Sequence, residues 1–174
     1  MTQPPAGERY SLWLMPGGEV RDRLTMILRR LSARLNAPEF STHVTLLGRC
    51  VGDRGELIRQ SAQVAASLRH FAIRLEHIDF RDEYFRCLFL HAALTEPLRK
   101  AHQAACQAFG RRRDRAFMPH MSLLYGNFPQ SLKEKLIAEL VPRLDVQFKV
   151  RSLHLYRTHG EPRRWRSVAK FGLQ

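Results

Sequence analysis

Apolar residues recur along this chain with two periods that alternate from one end to the other. Tyr10–Met15 is a short apolar run closed by Pro16-Gly17-Gly18, which predicts a strand and its turn. From Glu19 to Leu35, Val20, Leu24, Ile27, Leu28, Leu31 and Leu35 form a helical stripe, which Pro38 ends. His43–Leu47 reads as a strand, Gly55–Leu68 as a second amphipathic helix and Phe71–Phe80 as a half-buried alternating strand. Phe85–Leu94 is mostly apolar, the pattern of a central strand. Pro97–Phe109 and Leu132–Val141 read as helices; His120–Tyr125, Val146–Tyr156 and Trp165–Phe171 read as strands.

The pattern repeats once. His43 follows Leu12 by 31 residues and His120 follows Phe89 by 31; Phe71 follows His43 by 28 and Phe148 follows His120 by 28. Matched elements share one offset of 77 residues, the signature of an internal duplication with two copies. The expectation is one bilobal domain over residues 1–174, α+β in class. Two antiparallel sheets would face a central cleft, with helices packed outside and a pseudo-two-fold axis between lobes that share strands. Equivalent residues would then meet face to face across the cleft.

Composition narrows the partners. The 174 residues carry 29 Lys plus Arg against 16 Asp plus Glu, a formal net charge of +13. Such a field draws anions, phosphates and nucleic acid among them. No apolar run approaches the roughly 18 residues of a membrane span. The start Met1-Thr2-Gln3-Pro4-Pro5 lacks a secretory layout, and Cys50, Cys87 and Cys106 form no Cys-x-x-Cys pair. A monomer with free buried thiols, in the cytoplasm and away from membranes, is expected.

Of eight histidines, two share a local frame: His43-Val44-Thr45-Leu46 and His120-Met121-Ser122-Leu123. Residues i and i+2 of a strand point to one face. Each unit therefore offers an imidazole and a hydroxyl on one side and two apolar anchors on the other. Opening a cyclic phosphate on a ribose asks for that set. One imidazole takes a proton from water, the other gives one to the departing ribose oxygen, and hydroxyls donate to the phosphate oxygens. Which histidine plays which part stays open. The spacing of the histidines suggests no metal site, and the chemistry calls for no metal and no cofactor.

These motifs, with Tyr10-Ser11-Leu12-Trp13, Phe85-Arg86-Cys87-Leu88-Phe89-Leu90, Pro119–Tyr125 and Trp165-Arg166-Ser167-Val168-Ala169, make the chain resemble the 2H phosphoesterase superfamily. Within it, the likeness is to the plant and yeast cyclic phosphodiesterases. The resemblance implies a bilobal fold around a cleft, and hydrolysis of ADP-ribose 1″,2″-cyclic phosphate and of nucleoside 2′,3′-cyclic phosphates to 2′-phosphates. It makes His43 and His120 catalytic, adds Thr45 and Ser122 as phosphate holders, and places Trp13, Phe85 and Tyr125 along the pocket. Alternation alone puts Tyr125 on the face opposite His120, and gives Trp13 and Phe85 a core role or a base-stacking one. Thr42 stands where the family often has proline.

Gly110-Arg111-Arg112-Arg113-Asp114-Arg115 runs into the second motif, as a gate gripping phosphates or as a solvated loop. Arg163, Arg164 and Arg166 are a weaker case for ligand contact. His70, His77, His91, His102, His154 and His159 match no motif and read as structural or surface residues. Two other functions compete: an enzyme acting on RNA ends or 2′,5′-linked RNA, favoured by the charge, and a non-catalytic RNA-binding module. Two proton-transfer groups exceed what binding alone requires.

Overall fold

A computed structural model describes residues 7–112, 116–141 and 146–174. Eight strands, β1 (Tyr10–Leu14), β2 (Val44–Cys50), β3 (Phe71–Asp79), β4 (Leu88–Ala92), β5 (His120–Leu124), β6 (Val146–Val150), β7 (Ser152–Arg157) and β8 (Arg166–Gly172), are joined with helices α1 (Gly18–Leu35), α2 (Arg54–Ala66), α3 (Glu96–Ala108) and α4 (Gln130–Leu140). Local chemistry sets several boundaries. Asn36 closes α1 in the left-handed region at φ 51°, and the Asp53 carboxylate accepts from the Glu56 amide to start α2.

The strands run in the order β6-β3-β4-β5-β2-β1-β7-β8, and every pairing is antiparallel. The expected α+β class holds. The two expected sheets are two four-stranded halves, joined edge to edge where β2 meets β5 through Val44 and Met121. The motifs therefore stand side by side on adjacent central strands, not face to face across a gap between separate sheets.

Val146–Tyr156 is not continuous. It breaks at Arg151 into β6, on the outer edge beside β3, and β7, beside β1. Phe85–Leu94 begins instead with a short 3-10 turn, Tyr84–Arg86, before β4. One face of the sheet carries Leu12, Leu14, Val44, Leu46, Leu88, Leu90, Met121, Leu123, Leu153 and Leu155, all essentially inaccessible. Helices α2 and α3 pack on the β2 and β7–β8 side, while α1 packs on β5 and β6 and reaches α4 through Arg34–Glu139. Burial of this face supplies the fold's main driving force, at roughly 1.5–3 kcal/mol per large side chain. The three cysteines are free and buried. Among the described residues, no helix is long and apolar enough to cross a membrane.

Candidate active site

The opposite face of the sheet is polar and aromatic. Because Val44 pairs with Met121, the antiparallel register sets His43 across from Ser122 and Thr45 across from His120. Each motif's hydroxyl thus lies beside the other motif's imidazole. The apolar residues between them, Val44 and Met121, are fully buried and hold both strands down.

Both imidazoles are anchored in one way. His43 Nδ1 lies 2.6 Å from the Ser41 carbonyl oxygen, and His120 Nδ1 lies 2.9 Å from that of Met118. A carbonyl only accepts, so each Nδ1 carries the proton and each Nε2 keeps its lone pair for chemistry. Surroundings then separate the pair. His43 is sandwiched against Trp13, with ring centroids 3.6 Å apart and planes 10° apart. Burial, reinforced by His120, pushes its pKa down from 6.5 to about 4, against the opposing pull of the Ser41 carbonyl. His120 sits at the start of β5 with partial solvent access; burial lowers its pKa too, with Arg86 and His91 adding repulsion.

Ser122 departs from its expected part. Its Oγ donates to the Phe85 carbonyl at 3.0 Å, and its oxygen also contacts the Tyr125 phenol. Phe85 O only accepts, so Ser122 spends its proton there. Donation from Ser122 to a phosphate requires its hydroxyl to turn away from Phe85. Tyr125 lies just past the end of β5, and the altered direction there brings it to the motif's face despite simple alternation. Its ring stacks on Phe40 at 3.7 Å, and burial raises its pKa, so it stays protonated.

Trp13 is 2% exposed and touches Tyr156 and Trp165 as well as His43. Phe85 is 51% exposed and meets Tyr125 edge-on and Trp165 face-on, so it forms a lip rather than core. Sequence reasoning missed Phe40, Tyr156 and Trp165 as pocket residues. A signal existed for Phe40: Phe40 and Phe117 each precede a motif histidine by three positions. Phe117 in turn stacks on His102 at 3.8 Å.

Two cavities flank the histidines. One is walled by Trp13, Phe40, Tyr156 and Trp165 and rimmed by Arg21, Arg29, Arg163 and Arg166. The other holds Thr45, His120, Arg86, Arg111 and Arg112. Arg111 donates to the Gly48 carbonyl at 2.5 Å, which ties the expected gate to β2. Arg113, Asp114 and Arg115 lie outside the described residues. Of the remaining histidines, His102 is buried between Leu46 and Cys106, and His154 lies across from Trp13.

A site with two presented imidazoles, paired hydroxyls and arginine-rimmed cavities defines a phosphoester-handling protein. The model of the 2′-5′ RNA ligase superfamily matches residues 19–162. The chain belongs to that superfamily, that of the two-histidine phosphoesterases, and is a phosphodiesterase-type enzyme. It is 24% identical over 168 residues to a protein named cyclic phosphodiesterase from Arabidopsis thaliana, covering 92% of each chain. Its fold is similar to that of E. coli LigT complexed with phosphate, with TM-score 0.63, 14% identity and coverage of 97% and 98%. A protein of Thermus thermophilus gives TM-score 0.66 at 17% identity, with 95% and 97% covered.

Proposed function

We propose that this enzyme hydrolyses nucleoside 2′,3′-cyclic phosphates to 2′-phosphates, and ADP-ribose 1″,2″-cyclic phosphate, without a catalytic metal. The supporting observation is the pair of imidazoles on adjacent strands, each with Nδ1 held by the carbonyl two residues earlier and Nε2 presented. His43, the more strongly depressed of the two, stays neutral and acts as general base on water. His120 is the general acid. The water oxygen bonds to phosphorus as the bond to the ribose 3′ oxygen breaks. His43 takes the water proton and His120 supplies one to the leaving oxygen. An anionic substrate between the two favours the protonated form of His120 once bound. Thr45 and a rotated Ser122 hold the non-bridging oxygens, and Trp13, Phe85 and Tyr125 wall the base side.

The described residues fit one bilobal domain built from a duplicated unit. Three features recur at the 77-residue offset: the Val44 and Met121 pairing, the Phe40 and Phe117 positions, and the two histidine anchors.

The arginines around both cavities favour a second substrate, RNA ending in a 2′,3′-cyclic phosphate. The test is incubation in EDTA with the four nucleoside 2′,3′-cyclic phosphates, ADP-ribose 1″,2″-cyclic phosphate and a cyclic-phosphate-ended oligonucleotide. Chromatography then resolves the products. Turnover to 2′-phosphates that vanishes in His120→Ala supports the reading; turnover of the oligonucleotide alone moves the substrate to RNA. No turnover of any of them leaves a binding role.

A further inference from the structure

Beyond the two motifs, the sheet gathers a second group of donor side chains. Ile78 pairs with Leu90 and Asp79 with Phe89, so the register sets His77 directly across from His91 on the neighbouring strand. A bulge lies between Leu75 and Ile78. Leu75 and Ile78 both face the core, so Glu76 and His77 both fall outside it. Without that extra residue, alternation would send His77 to the face of Leu75. The bulge therefore re-aims His77 onto the face of Asp79 and His91.

One ligand atom from each of His77, Asp79 and His91 lies within 4.8 Å of the others. The two imidazoles stack with centroids 4.3 Å apart, and His91 Nε2 is 3.1 Å from Asp79 Oδ2. The Phe80 amide donates to Asp79 Oδ1 at 2.8 Å, which orients the carboxylate and leaves Oδ2 toward the histidines. A tetrahedral ion with bonds of about 2.0–2.1 Å holds its donors roughly 3.4 Å apart, so small side-chain rotations close this group around one centre. A hydrogen bond links Asp79 and His91, and the bulge delivers His77 beside them with its ring stacked on that of His91.

We propose that His77, Asp79 and His91 form a binding site for a divalent ion of the zinc class. Two imidazoles and one carboxylate suit such an ion, and leave it an open position for water or a ligand. The proposal does not depend on the hydrolytic step, although His91 is the cross-strand neighbour of His120. His91 pairs directly with His120 across β4 and β5, so the ion's donors on β3 and β4 begin one strand from the second motif's imidazole. At a net charge of +13 the protein has no general attraction for cations, so a stoichiometric ion reports these donors themselves.

Tag-free protein, stripped with EDTA and dialysed, would be titrated with zinc chloride by calorimetry, and with cobalt(II) followed by visible absorption. One equivalent bound by the wild type is expected. Binding should weaken at least about tenfold in the exposed-site variant His77→Ala and in His91→Ala, and persist in His43→Ala with His120→Ala. Circular dichroism would confirm that each variant is folded. Absence of stoichiometric binding, or binding that survives His77→Ala and His91→Ala, overturns the site. Hydrolysis measured separately in EDTA fails or succeeds without bearing on this outcome.

Discussion

His43 and His120 share a backbone anchor and differ in what covers them. Trp13 lies flat on His43, whereas His120 opens toward a cavity with Arg86 and Arg111. Replacing either by alanine should lower turnover by about 10²–10⁴-fold with an unchanged circular dichroism spectrum. Near-wild-type rates would remove both from the chemistry. The acid limb of kcat/KM should fall near pH 4, where His43 gains its proton, and the alkaline limb below 6.5, where His120 loses one. Free-enzyme activity is thus greatest at mildly acidic pH, and the kcat profile extends further to alkaline pH because the bound anion stabilises protonated His120. Stability carries the same signature. The unfolded chain takes up a proton on His43 as pH falls below about 6.5, while the fold refuses it until about 4. The part of stability due to His43 should therefore drop across that window by on the order of 3 kcal/mol. His43→Gln should reduce the loss in urea titrations at several pH values, with His154, also depressed to about 4, supplying a further part.

At the scale of elements, the turn Tyr84–Arg86 depends on its ties to β5. The Gly126 amide donates to the Tyr84 carbonyl at 3.0 Å, Ser122 holds Phe85 O, and the buried Lys133 ammonium donates to Arg81 O at 3.2 Å. Gly126 sits at φ 145°, and a Cβ there would meet the Phe128 ring at 2.5 Å. Gly126→Ala should destabilise by more than about 1 kcal/mol, read by urea denaturation, and raise KM by displacing Tyr125 and Phe85. An unchanged KM would separate the turn from substrate binding. That Phe85 and Arg86 belong to this turn and not to the strand was not legible in the sequence. Phe85 is as apolar as the strand that follows, and hydrophobicity alone gives no boundary between them. The helices were legible, because stripes such as Leu24, Leu28 and Leu31 are buried along one side of the helix.

For the whole molecule, the charge of +13 and the arginines at both cavities set the response to salt. Affinity for a cyclic-phosphate-ended oligonucleotide should fall linearly on a log–log plot with salt, with a slope of about −0.7 per neutralised phosphate. A cyclic mononucleotide should show a shallower dependence. Equal slopes for the two would mean that the arginine rims do not engage a longer chain.

The sequence by itself determined which residues alternate, which stripe, and that two histidine–hydroxyl units share one frame; these are local properties of side-chain type and spacing. It thereby named His43, Thr45, His120 and Ser122 as a group. Only the tertiary structure decided that β2 and β5 lie side by side, which crosses each imidazole with the other motif's hydroxyl. It also decided that Phe40 and Trp165 join the pocket, and that a bulge turns His77 toward Asp79 and His91. These outcomes rest on strand register and on contacts between residues far apart in the chain. Spacing along the sequence carries no information about them until the sheet has formed.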